Sequence, residues 1–410
     1  MSTPTLKIAI VGAGPVGLTL AAILHRNGIQ STVFERESSA TARAQGGTLD
    51  VHGETGQRAI VAAGLLAEFR GKARAEGEAT RLVRKDGTDE GRGRPEIDRR
   101  DLRDLLIKAL PADCIRWGRG VAAVTPVPGT RRWGIDFVGR DCSSSSPDHE
   151  RGPYDLVVGA DGAWSRVRHR LTHVGPLYSG VTQLDLHISS ERLAGRPDVA
   201  AFVGSGSCMM ADEDRFVALQ RHGDGGARAY ACVRTSRALG AEVPSARAML
   251  ELGEDDGGEV DWTDGETRKR FMDRQFGGWV PEVVDMVLAM TEQPLLRPLY
   301  MLPVGHRWDG RAGLSLVGDA AHLMTPFAGV GVNVGMVDAL ELAQGIVGYV
   351  KGQGGEDEDE LARVVRRYEE GMFERSSRDA AFTAEMMEME FKSDGLQRIK
   401  EVMTGGALPE

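Results

Sequence analysis

Residues 7–36 read KIAIVGAGPVGLTLAAILHRNGIQSTVFER, and this stretch decides the fold of the chain. The apolar run at 6–11, rich in β-branched residues, is typical of a strand buried on both faces. A G-x-G-x-x-G pattern follows it directly, and a helix at about 15–27 and a second strand at 31–34 come next. The stretch therefore predicts the first strand–helix–strand unit of a Rossmann-like α/β domain.

The three glycines of the pattern have different roles. Gly12 permits a tight turn, Gly14 lets the backbone approach a pyrophosphate, and Gly17 lets the helix pack closely on the strand. The free N–H groups and the positive dipole end of that helix bind an anion without a dedicated cation. Glu35 comes directly after the second strand, where an acid typically binds a ribose. Together these features predict a dinucleotide site, and FAD and NAD are both open as its ligand at this point.

Length and composition restrict the classes of function, and a chain of 410 residues is expected to form about two domains. The net charge of −10, without a basic stripe that contains aromatic residues, argues against a nucleic-acid binder. The four cysteines form no C-x-x-C pair, which argues against a disulfide oxidoreductase and indicates a reducing compartment. The sequence shows no signal peptide before the first strand and no apolar run long enough to span a bilayer. We expect a cytoplasmic protein without metal, nucleic-acid or membrane partners.

Two later stretches repeat the arrangement of a buried strand followed by a turn with an acid. Residues 154–171, YDLVVGADGAWSRVRHRL, predict a strand, a turn at Asp161-Gly162 and a basic helix that suits the phosphates of a cofactor. The arginines of this helix are Arg166, Arg168 and Arg170. Residues 313–343 predict a strand that delivers Gly318-Asp319, and then a long helix that begins near Gly331.

The residues between these stretches predict an antiparallel sheet inserted into the α/β domain. Residues 181–189 alternate between apolar and polar side chains. Further strands are predicted at 200–203, 216–220 and 227–233. The polar face of the first strand, which includes Gln183, either faces solvent or lines a cavity over the cofactor. Residues 359–391 place apolar side chains at helical spacing and predict one long C-terminal helix.

The predicted fold class is α/β, and α+β overall. A Rossmann-like cofactor domain is formed by residues 1–173 and 296–352, and a substrate domain with an antiparallel sheet, residues 174–295, is inserted into it. Residues 353–410 form a C-terminal bridging helix and tail. We expect a monomer that binds a small molecule.

Three motifs stand in one order along the chain: GAGPVG with Glu35, the Asp161-Gly162 turn, and GDAAHLMTPFAGVGVN from Gly318. This order resembles the FAD-dependent aromatic hydroxylases, the flavin monooxygenases with a p-hydroxybenzoate-hydroxylase-like fold. Within that group the chain is most similar to the tetracycline destructases, through IVGAGPVGLT, GGTLDVH, a DLR helix start, GDAAHLM-x-PFAG-x-GVN and the long C-terminal helix.

The resemblance implies roles for particular residues. Glu35 would bind the adenosine ribose, Arg43 would lie near the flavin and the incoming nicotinamide, and Asp319 would hold the ribityl-pyrophosphate side. The implied cofactor-binding residues are Gly12, Gly14, Gly17, Glu35, Arg36, Arg43, Asp50, Arg103, Asp161, Asp319, Gly331, Val332 and Asn333. The implied substrate-binding residues are Gln183, Met210 and Phe327.

The chain also departs from the destructase pattern. Polar or glycine positions that contact substrate in that family correspond here to Cys208, Ala229, Ala231 and Val330. Several polar contacts to tetracycline are therefore missing, and a different or more apolar polycyclic substrate is expected.

The resemblance implies an FAD-dependent monooxygenase that uses NADPH or NADH and O2 to hydroxylate a polycyclic aromatic or enolic molecule through a flavin C4a-hydroperoxide. No catalytic acid or base is assigned, and His322 is interpreted as a structural neighbour of the flavin. A flavin-dependent reductase that inserts no oxygen and a non-catalytic FAD-binding module are the alternatives. A flavin-dependent halogenase is disfavoured because the W-x-W-x-I-P segment typical of that class is missing.

Overall fold

The computed structural model describes residues 6–42, 47–73, 80–82, 96–139, 148–251, 259–279, 281–352 and 358–403. The chain divides into two compact units. The first unit comprises Met1–Lys72, Arg99–Pro176 and Leu302–Phe382. The second unit comprises Ala73–Asp98, Leu177–Met301 and Thr383–Glu410.

The described strands and helices have the following bounds. The strands are β1 Ile8–Val11, β2 Ser31–Phe34, β3 Thr48–Asp50, β4 Thr80–Leu82, β5 Glu96–Asp98, β6 Ile115–Arg116, β7 Val121–Pro126, β8 Trp133–Phe137, β9 Leu156–Gly159, β10 Leu177–Ile188, β11 Ser207–Asp212, β12 Arg215–Arg221, β13 Ala227–Arg234, β14 Glu292–Met301 and β15 Leu314–Leu316. The helices are α1 Pro15–Arg26, α2 Gly56–Ala63, α3 Leu66–Arg70, α4 Arg99–Lys108, α5 Asp148–Arg151, α6 Ser190–Ala194, α7 Pro197–Val203, α8 Ala246–Met249, α9 Gly265–Phe276, α10 Pro281–Ala289, α11 Asp319–His322, α12 Gly331–Lys351, α13 Glu358–Glu390 and α14 Gly395–Met403.

The first unit is built on a five-stranded parallel sheet with the strand order β15-β9-β1-β2-β6. Every residue of β1 and β9 is buried, as expected for strands covered on both faces. Helix α1 begins at Pro15, whose fixed φ favours the first helical position, and Gly28 follows its end with φ +77°. The strand–helix–strand unit predicted at 7–36 is confirmed.

One prediction in this unit is wrong. The basic helix expected after Asp161 is instead an irregular turn followed by the short 3-10 segment Arg168–Arg170. The carboxylate of Asp161 accepts hydrogen bonds from the Ser165 hydroxyl and the Arg166 N–H. These local side-chain bonds compete with the backbone bonds of a helix, and a turn forms.

The second unit is built on a six-stranded sheet with the strand order β14-β10-β13-β12-β11-β4. Its neighbouring strands are antiparallel except for the β11–β4 pair. The segment HGDGG joins β12 to β13 as a hairpin, in which the N–H of His222 donates to the carbonyl of Gly226 and Gly225 has φ +87°. The antiparallel sheet predicted from the alternating strands is confirmed.

The two faces of this sheet differ. Leu184 and Val217 point to the face covered by helices of the same unit, and they pack there with Phe271 of α9 in one hydrophobic core. The neighbouring residues on each strand point to the opposite face, because side chains alternate along a strand. Gln183 and Asp185 on that opposite face are only 8% and 4% exposed, so the solvent-facing interpretation of these polar positions is wrong.

The strand predicted at 200–203 is also wrong, because the structure forms helix α7, Pro197–Val203. Pro197 at the first helical position and Asp198 in the first turn both favour a helix start. The apolar run is too short to distinguish a strand from a buried helix by its periodicity.

The predicted long C-terminal helix is confirmed as α13, a single helix of 33 residues. Its residues up to Phe382 belong to the first unit, and those from Thr383 belong to the second. Across the described ranges, no helix is both long and apolar enough to cross a bilayer.

Candidate functional site

Four turns that the sequence marks as chemically important lie at one edge of the parallel sheet. The loop 12–17 follows β1, Glu35 follows β2, Asp161 follows β9, and Asp319 comes shortly after β15. These four strands are neighbours and parallel, so their carboxyl ends share an edge. In open α/β sheets, ligands bind at this edge. The structure thus brings together stretches from both ends of the sequence.

The glycine loop has the geometry that its pattern predicts. Gly12 has φ +108°, and a Cβ atom there would overlap the carbonyl of Ala160. A Cβ on Gly17 would overlap the carbonyl of Gly12, so the start of α1 packs directly on the loop. Gly14 is different, because no described atom lies within 4 Å of where its Cβ would be. The loop is therefore closed towards the sheet and open at Gly14, where a pyrophosphate would approach.

Glu35 is held beside the glycine loop. Its Oε2 accepts the Ala13 N–H at 2.7 Å, its Oε1 accepts the Glu37 N–H at 2.9 Å, and the residue is 8% exposed. An ionised carboxylate can accept about four hydrogen bonds, so two backbone donors orient Glu35 and leave acceptor capacity for ribose hydroxyls. The adjacent Arg36 is exposed.

Arg103, a predicted cofactor contact, directs its guanidinium at the protein. Its Nε donates to the Ala13 carbonyl at 3.0 Å, and its terminal nitrogens donate to the Ala40 carbonyl at 3.1 Å and the Glu37 carboxylate at 2.9 Å. The guanidinium also lies 5.5 Å from the ring centroid of Trp117. Arg103 therefore ties the glycine loop to the segment after β2, and its contact with a cofactor stays a prediction.

Asp161 builds the second turn. Its carboxylate accepts the Ser165 hydroxyl at 2.6 Å and the Arg166 N–H at 2.7 Å. Burial raises the pKa of Asp161 above its ordinary value, although the hydrogen bonds from Ser165 and Arg166 act in the opposite direction. Gly162 has φ +75°, and no described atom lies within 4 Å of its would-be Cβ. The turn thus has an acid that shapes it and an open backbone beside that acid.

Arg168 connects the second and third turns. It is 1% exposed, and its terminal nitrogens donate to the Ala163 carbonyl at 2.6 Å and the Ala320 carbonyl at 3.0 Å. Ala163 follows the Asp161 turn and Ala320 follows Asp319. The sequence assigned this arginine to a phosphate-binding helix, but the structure uses it to hold two cofactor turns in register. No sequence pattern marks this role, because both acceptors are backbone atoms.

The third turn presents an exposed acid. Asp319 is exposed at the start of α11, whereas Gly318 and Ala320 on either side are buried. Gly318 has φ +61°, and its would-be Cβ would lie 3.2 Å from Val16 of α1. The buried neighbours fix the backbone, and the carboxylate of Asp319 points outward.

Helix α12 begins without a capping side chain. Its N-cap is Val330, no described side chain accepts from its first N–H groups, and Gly331 and Val332 are half-buried. Phe327 is half-buried in the 3-10 turn Pro326–Ala328 just before it. Uncapped N–H groups and the helix dipole favour an acceptor with negative charge.

Asn333 fastens the start of α12 to the segment at β3. Its amide nitrogen donates to the Asp50 carbonyl at 2.7 Å, its oxygen accepts the His52 N–H at 2.8 Å, and the residue is 1% exposed. The carboxylate of Asp50 would lie 3.5 Å from a Cβ on Gly329. Asp50 and the start of α12 are therefore adjacent. Arg43 lies outside the described residues.

The residues of this edge fit a dinucleotide. Two helix N-termini, of α1 and α12, carry no side-chain cap in the described structure. Open backbone stands at Gly14 and Gly162, and the exposed Asp319 supplies an acceptor for hydroxyl groups. Helix N-termini bind phosphates and partial negative charge, so these two helix starts could hold the anionic groups of a dinucleotide.

The predicted substrate residues of the second unit lie on opposite faces of its sheet. The register pairs Gln183 with Cys232, and it pairs Met210 with Val217. Met210 is fully buried in the hydrophobic core beneath the helices, whereas Gln183 points to the other face. A ligand that lies on one face reaches only one of these side chains directly.

The same core contains three of the four departures from the destructase pattern. Cys208, Ala229 and Ala231 are each fully buried and belong to the core that contains Met210. Their size therefore affects packing under the sheet. On the Gln183 face the neighbouring group is Cys232, whose Sγ lies 3.8 Å from the Gln183 Oε1. Burial raises the pKa of the Cys232 thiol, which keeps it uncharged.

Comparison with known proteins agrees with this site. The sequence profile of a family described as "FAD binding domain" matches residues 5–108 and 308–363, which carry the glycine loop, Glu35 and the start of α12. The chain is similar to "Monooxygenase asqM" of Emericella nidulans, with 35% identity over 82% of this chain and 83% of that protein. It is also similar to "Monooxygenase penA" of Penicillium thymicola, with 31% identity over 98% of this chain and 99% of that protein.

A solved structure gives the same fold. The tetracycline destructase Tet(55) superposes with a TM-score of 0.69 at 18% identity, and the match covers all of both chains. The motif order that suggested flavin monooxygenases is thus matched in sequence and in fold. At this identity, the likeness to the destructase concerns the fold alone.

Proposed function

This chain belongs to the family of FAD-dependent monooxygenases, and we propose that it uses NADPH or NADH together with O2 to hydroxylate a polycyclic aromatic or enolic small molecule. The single observation that carries the proposal is the meeting of the glycine loop, Glu35, Asp161 and Asp319 at one sheet edge. These groups match a flavin dinucleotide along its length, and bound flavin supplies the activation of O2.

Different residues of the first unit would bind different parts of the cofactor. The N–H groups at the start of α1, beside Gly14, would bind the pyrophosphate, and Glu35 would bind the adenosine ribose. Asp319 would accept hydrogen bonds from the ribityl hydroxyls. The uncapped start of α12 would face the pyrimidine end of the flavin, where its dipole stabilises negative charge on the reduced ring.

Substrate recognition by the second unit is proposed for the sheet face that carries Gln183. On the opposite face, buried apolar side chains that include Met210 pack together in one hydrophobic core. Gln183 offers an amide that both donates and accepts, and its Oε1 lies 3.8 Å from the Cys232 thiol, whose pKa is raised by burial. A buried amide with both donor and acceptor capacity suits the hydroxyl or carbonyl group of a phenol or enol.

The test is incubation of the purified chain with FAD, NADPH or NADH and ¹⁸O₂, in the presence of tetracycline or a panel of polycyclic phenols. Mass spectrometry of the products reads the outcome. A gain of one ¹⁸O atom is the expected result. Faster nicotinamide oxidation with a product that contains no ¹⁸O would contradict hydroxylation and indicate the reductase. Flavin binding without ligand-stimulated nicotinamide oxidation would indicate a non-catalytic module.

A matched pair of variants connects this activity to the site. Asp319→Ala removes an exposed acid from the cofactor edge, whereas Asp273→Ala removes an exposed acid that pairs with Lys269 on α9. We expect the first variant to lose at least ten-fold in FAD affinity, and the second to match the parent. Equal affinities in both variants would contradict the assignment of Asp319.

A further inference from the structure

A buried carboxylate beneath the third turn contacts hydrogen-bonding groups from three parts of the first unit. Asp338 of α12 is fully buried. Its Oδ2 accepts the Gly318 N–H at 2.9 Å and lies 2.5 Å from the Nε2 of His322. Its Oδ1 accepts from a terminal nitrogen of Arg375, on α13, at 2.8 Å. Asp338 therefore connects the turn after β15, the end of α11 and the C-terminal helix.

The backbone geometry explains why this carboxylate reaches the turn. A Cβ on Gly335 would lie 3.1 Å from the Cα of Gly318 and 2.6 Å from Val16 of α1. Helix α12 therefore passes directly against the turn at Gly335. Asp338 is three residues further along, on the same helix face, which places its side chain beneath the Gly318 N–H.

The charges around Asp338 keep it ionised. Burial alone would raise the pKa of Asp338, but His322 and Arg375 outweigh burial and hold the pKa below its ordinary value. Burial alone would lower the pKa of His322, and Asp338 raises it above the ordinary value instead. Arg375 also donates to Glu341 at 2.7 Å, so its own charge is balanced on both sides.

We propose that Asp338 is a positioning residue for the flavin. By accepting the Gly318 N–H it fixes the backbone immediately before Asp319, and so it sets the direction of the exposed carboxylate that meets the cofactor. Because Arg375 of α13 donates to Asp338, the position of this turn also depends on α13. The inference rests on the proposed FAD contact of Asp319, and it does not depend on the substrate or on oxygen insertion.

The experiment compares Asp338→Asn with Glu369→Gln in the full-length chain. Glu369 is a second buried carboxylate of the first unit, but it accepts from Trp308 and Ser315 and does not contact the turn. Both changes replace a buried carboxyl group by an amide of nearly the same shape. FAD dissociation constants are measured by flavin fluorescence on apoprotein, well below the melting temperature of each variant.

We expect Asp338→Asn to raise the FAD dissociation constant about 10- to 100-fold, because a buried charge-assisted hydrogen-bond network is broken. Glu369→Gln should stay within about two-fold of the parent. A folded Asp338→Asn protein with parental FAD affinity would overturn the proposal, and so would equal losses in both variants. If Asp338→Asn does not fold, Arg375→Gln is the second variant, because it removes one donor to Asp338. It should weaken FAD binding about 3- to 10-fold. Parental FAD affinity in Arg375→Gln would count against the proposal.

A spectroscopic readout tests the contact between Asp338 and His322 directly. The imidazole signals of His322, followed by NMR against pH, should report a lower pKa in Asp338→Asn than in the parent, because Asp338 contributes most to raising it against burial. Glu369→Gln should leave that titration unchanged. Failure of the chain to hydroxylate any substrate would leave both measurements intact, so the proposed function and this inference fail separately.

Discussion

The cofactor edge of the first unit and the sheet of the second unit differ in how well the sequence predicts the position of a functional residue. At the edge, backbone atoms do much of the work, and each glycine or acid stands where its spacing from a strand predicts. In the sheet, the predicted substrate contacts are side chains, and successive side chains along a strand point to opposite faces. A shift of one residue along a strand therefore moves a side chain from one face to the other. Gln183 and Met210 were both predicted to contact substrate, and they lie on opposite faces of the sheet.

The largest expected effect comes from a substitution in the glycine loop at the cofactor edge. Gly12→Ala forces a Cβ into the Ala160 carbonyl at a φ of +108°, and we expect a loss of about 2–5 kcal/mol in the free energy of unfolding. Gly14→Ala has open space and should change stability by less than about 1 kcal/mol, yet it should weaken FAD binding about ten-fold or more. Urea denaturation and flavin titration measure the two quantities, and equal destabilisation by both changes would contradict the loop geometry.

The second effect tests the two faces of the sheet. Met210→Ala removes a fully buried side chain from the core, and we expect a loss of about 3 kcal/mol in stability. Gln183→Ala should cost less than about 1 kcal/mol, because within the described residues its side chain makes only the weak contact with the Cys232 thiol. For the substrate found by the ¹⁸O₂ experiment, Gln183→Ala should raise KM more than Met210→Ala does. The opposite order of KM values would place the ligand on the helix-covered side.

The third prediction concerns the pH dependence of stability that arises from Glu369, which accepts a hydrogen bond from Ser315 of β15, the strand before the third turn. Burial raises the pKa of Glu369 to about 7, against the lowering influence of its bonds from Trp308 and Ser315 of β15. A carboxyl whose pKa is higher in the folded state keeps its proton where the unfolded chain has released it. Stability therefore falls as pH rises from about 4.5 to about 7, by at most about 3 kcal/mol.

Glu369→Gln removes this titration, so thermal or urea unfolding of the variant should show a flatter dependence on pH across that window. Glu374→Gln, an exposed acid on the same helix, is the matched control and should follow the parent. A parental pH dependence in Glu369→Gln would contradict the assignment. FAD affinity should be unchanged in the same variant. That result would show that Glu369 stabilises the strand without affecting the cofactor edge.

The smallest effect contrasts capped and uncapped helices. Asp264 caps α9 by accepting the Thr267 N–H at 2.8 Å, whereas α12 starts at Val330 without a side-chain cap in the described structure. Asp264→Ala should cost about 1 kcal/mol. Val330→Asp should stabilise the apoprotein by about 0.5–1 kcal/mol, because it supplies the missing acceptor, and it should weaken FAD binding because that carboxylate competes with the flavin. Tighter FAD binding by Val330→Asp would contradict a role for this helix start in binding the flavin.

The sequence predicted much of the fold because its signals are local. The glycine loop, β1, α1 and β2 follow one another within 7–36, and each depends on neighbours a few residues away. The two wrong predictions of secondary structure also have local causes. Helix α7 is too short for periodicity to decide its type, and the turn at Asp161 is stabilised by side-chain bonds that compete with a helix.

By itself, the sequence determined the order of strands, turns and acids, because glycine conformation, helix starts and strand ends depend on residues close along the chain. Only the tertiary structure decided that Arg168 joins two turns, that Asp338 lies beneath Gly318, and on which face of its sheet Met210 points. These facts depend on atoms that are distant in sequence and on strand register. The partners of Arg168 and Asp338 at the turns are backbone atoms, which leave no mark in the residue pattern.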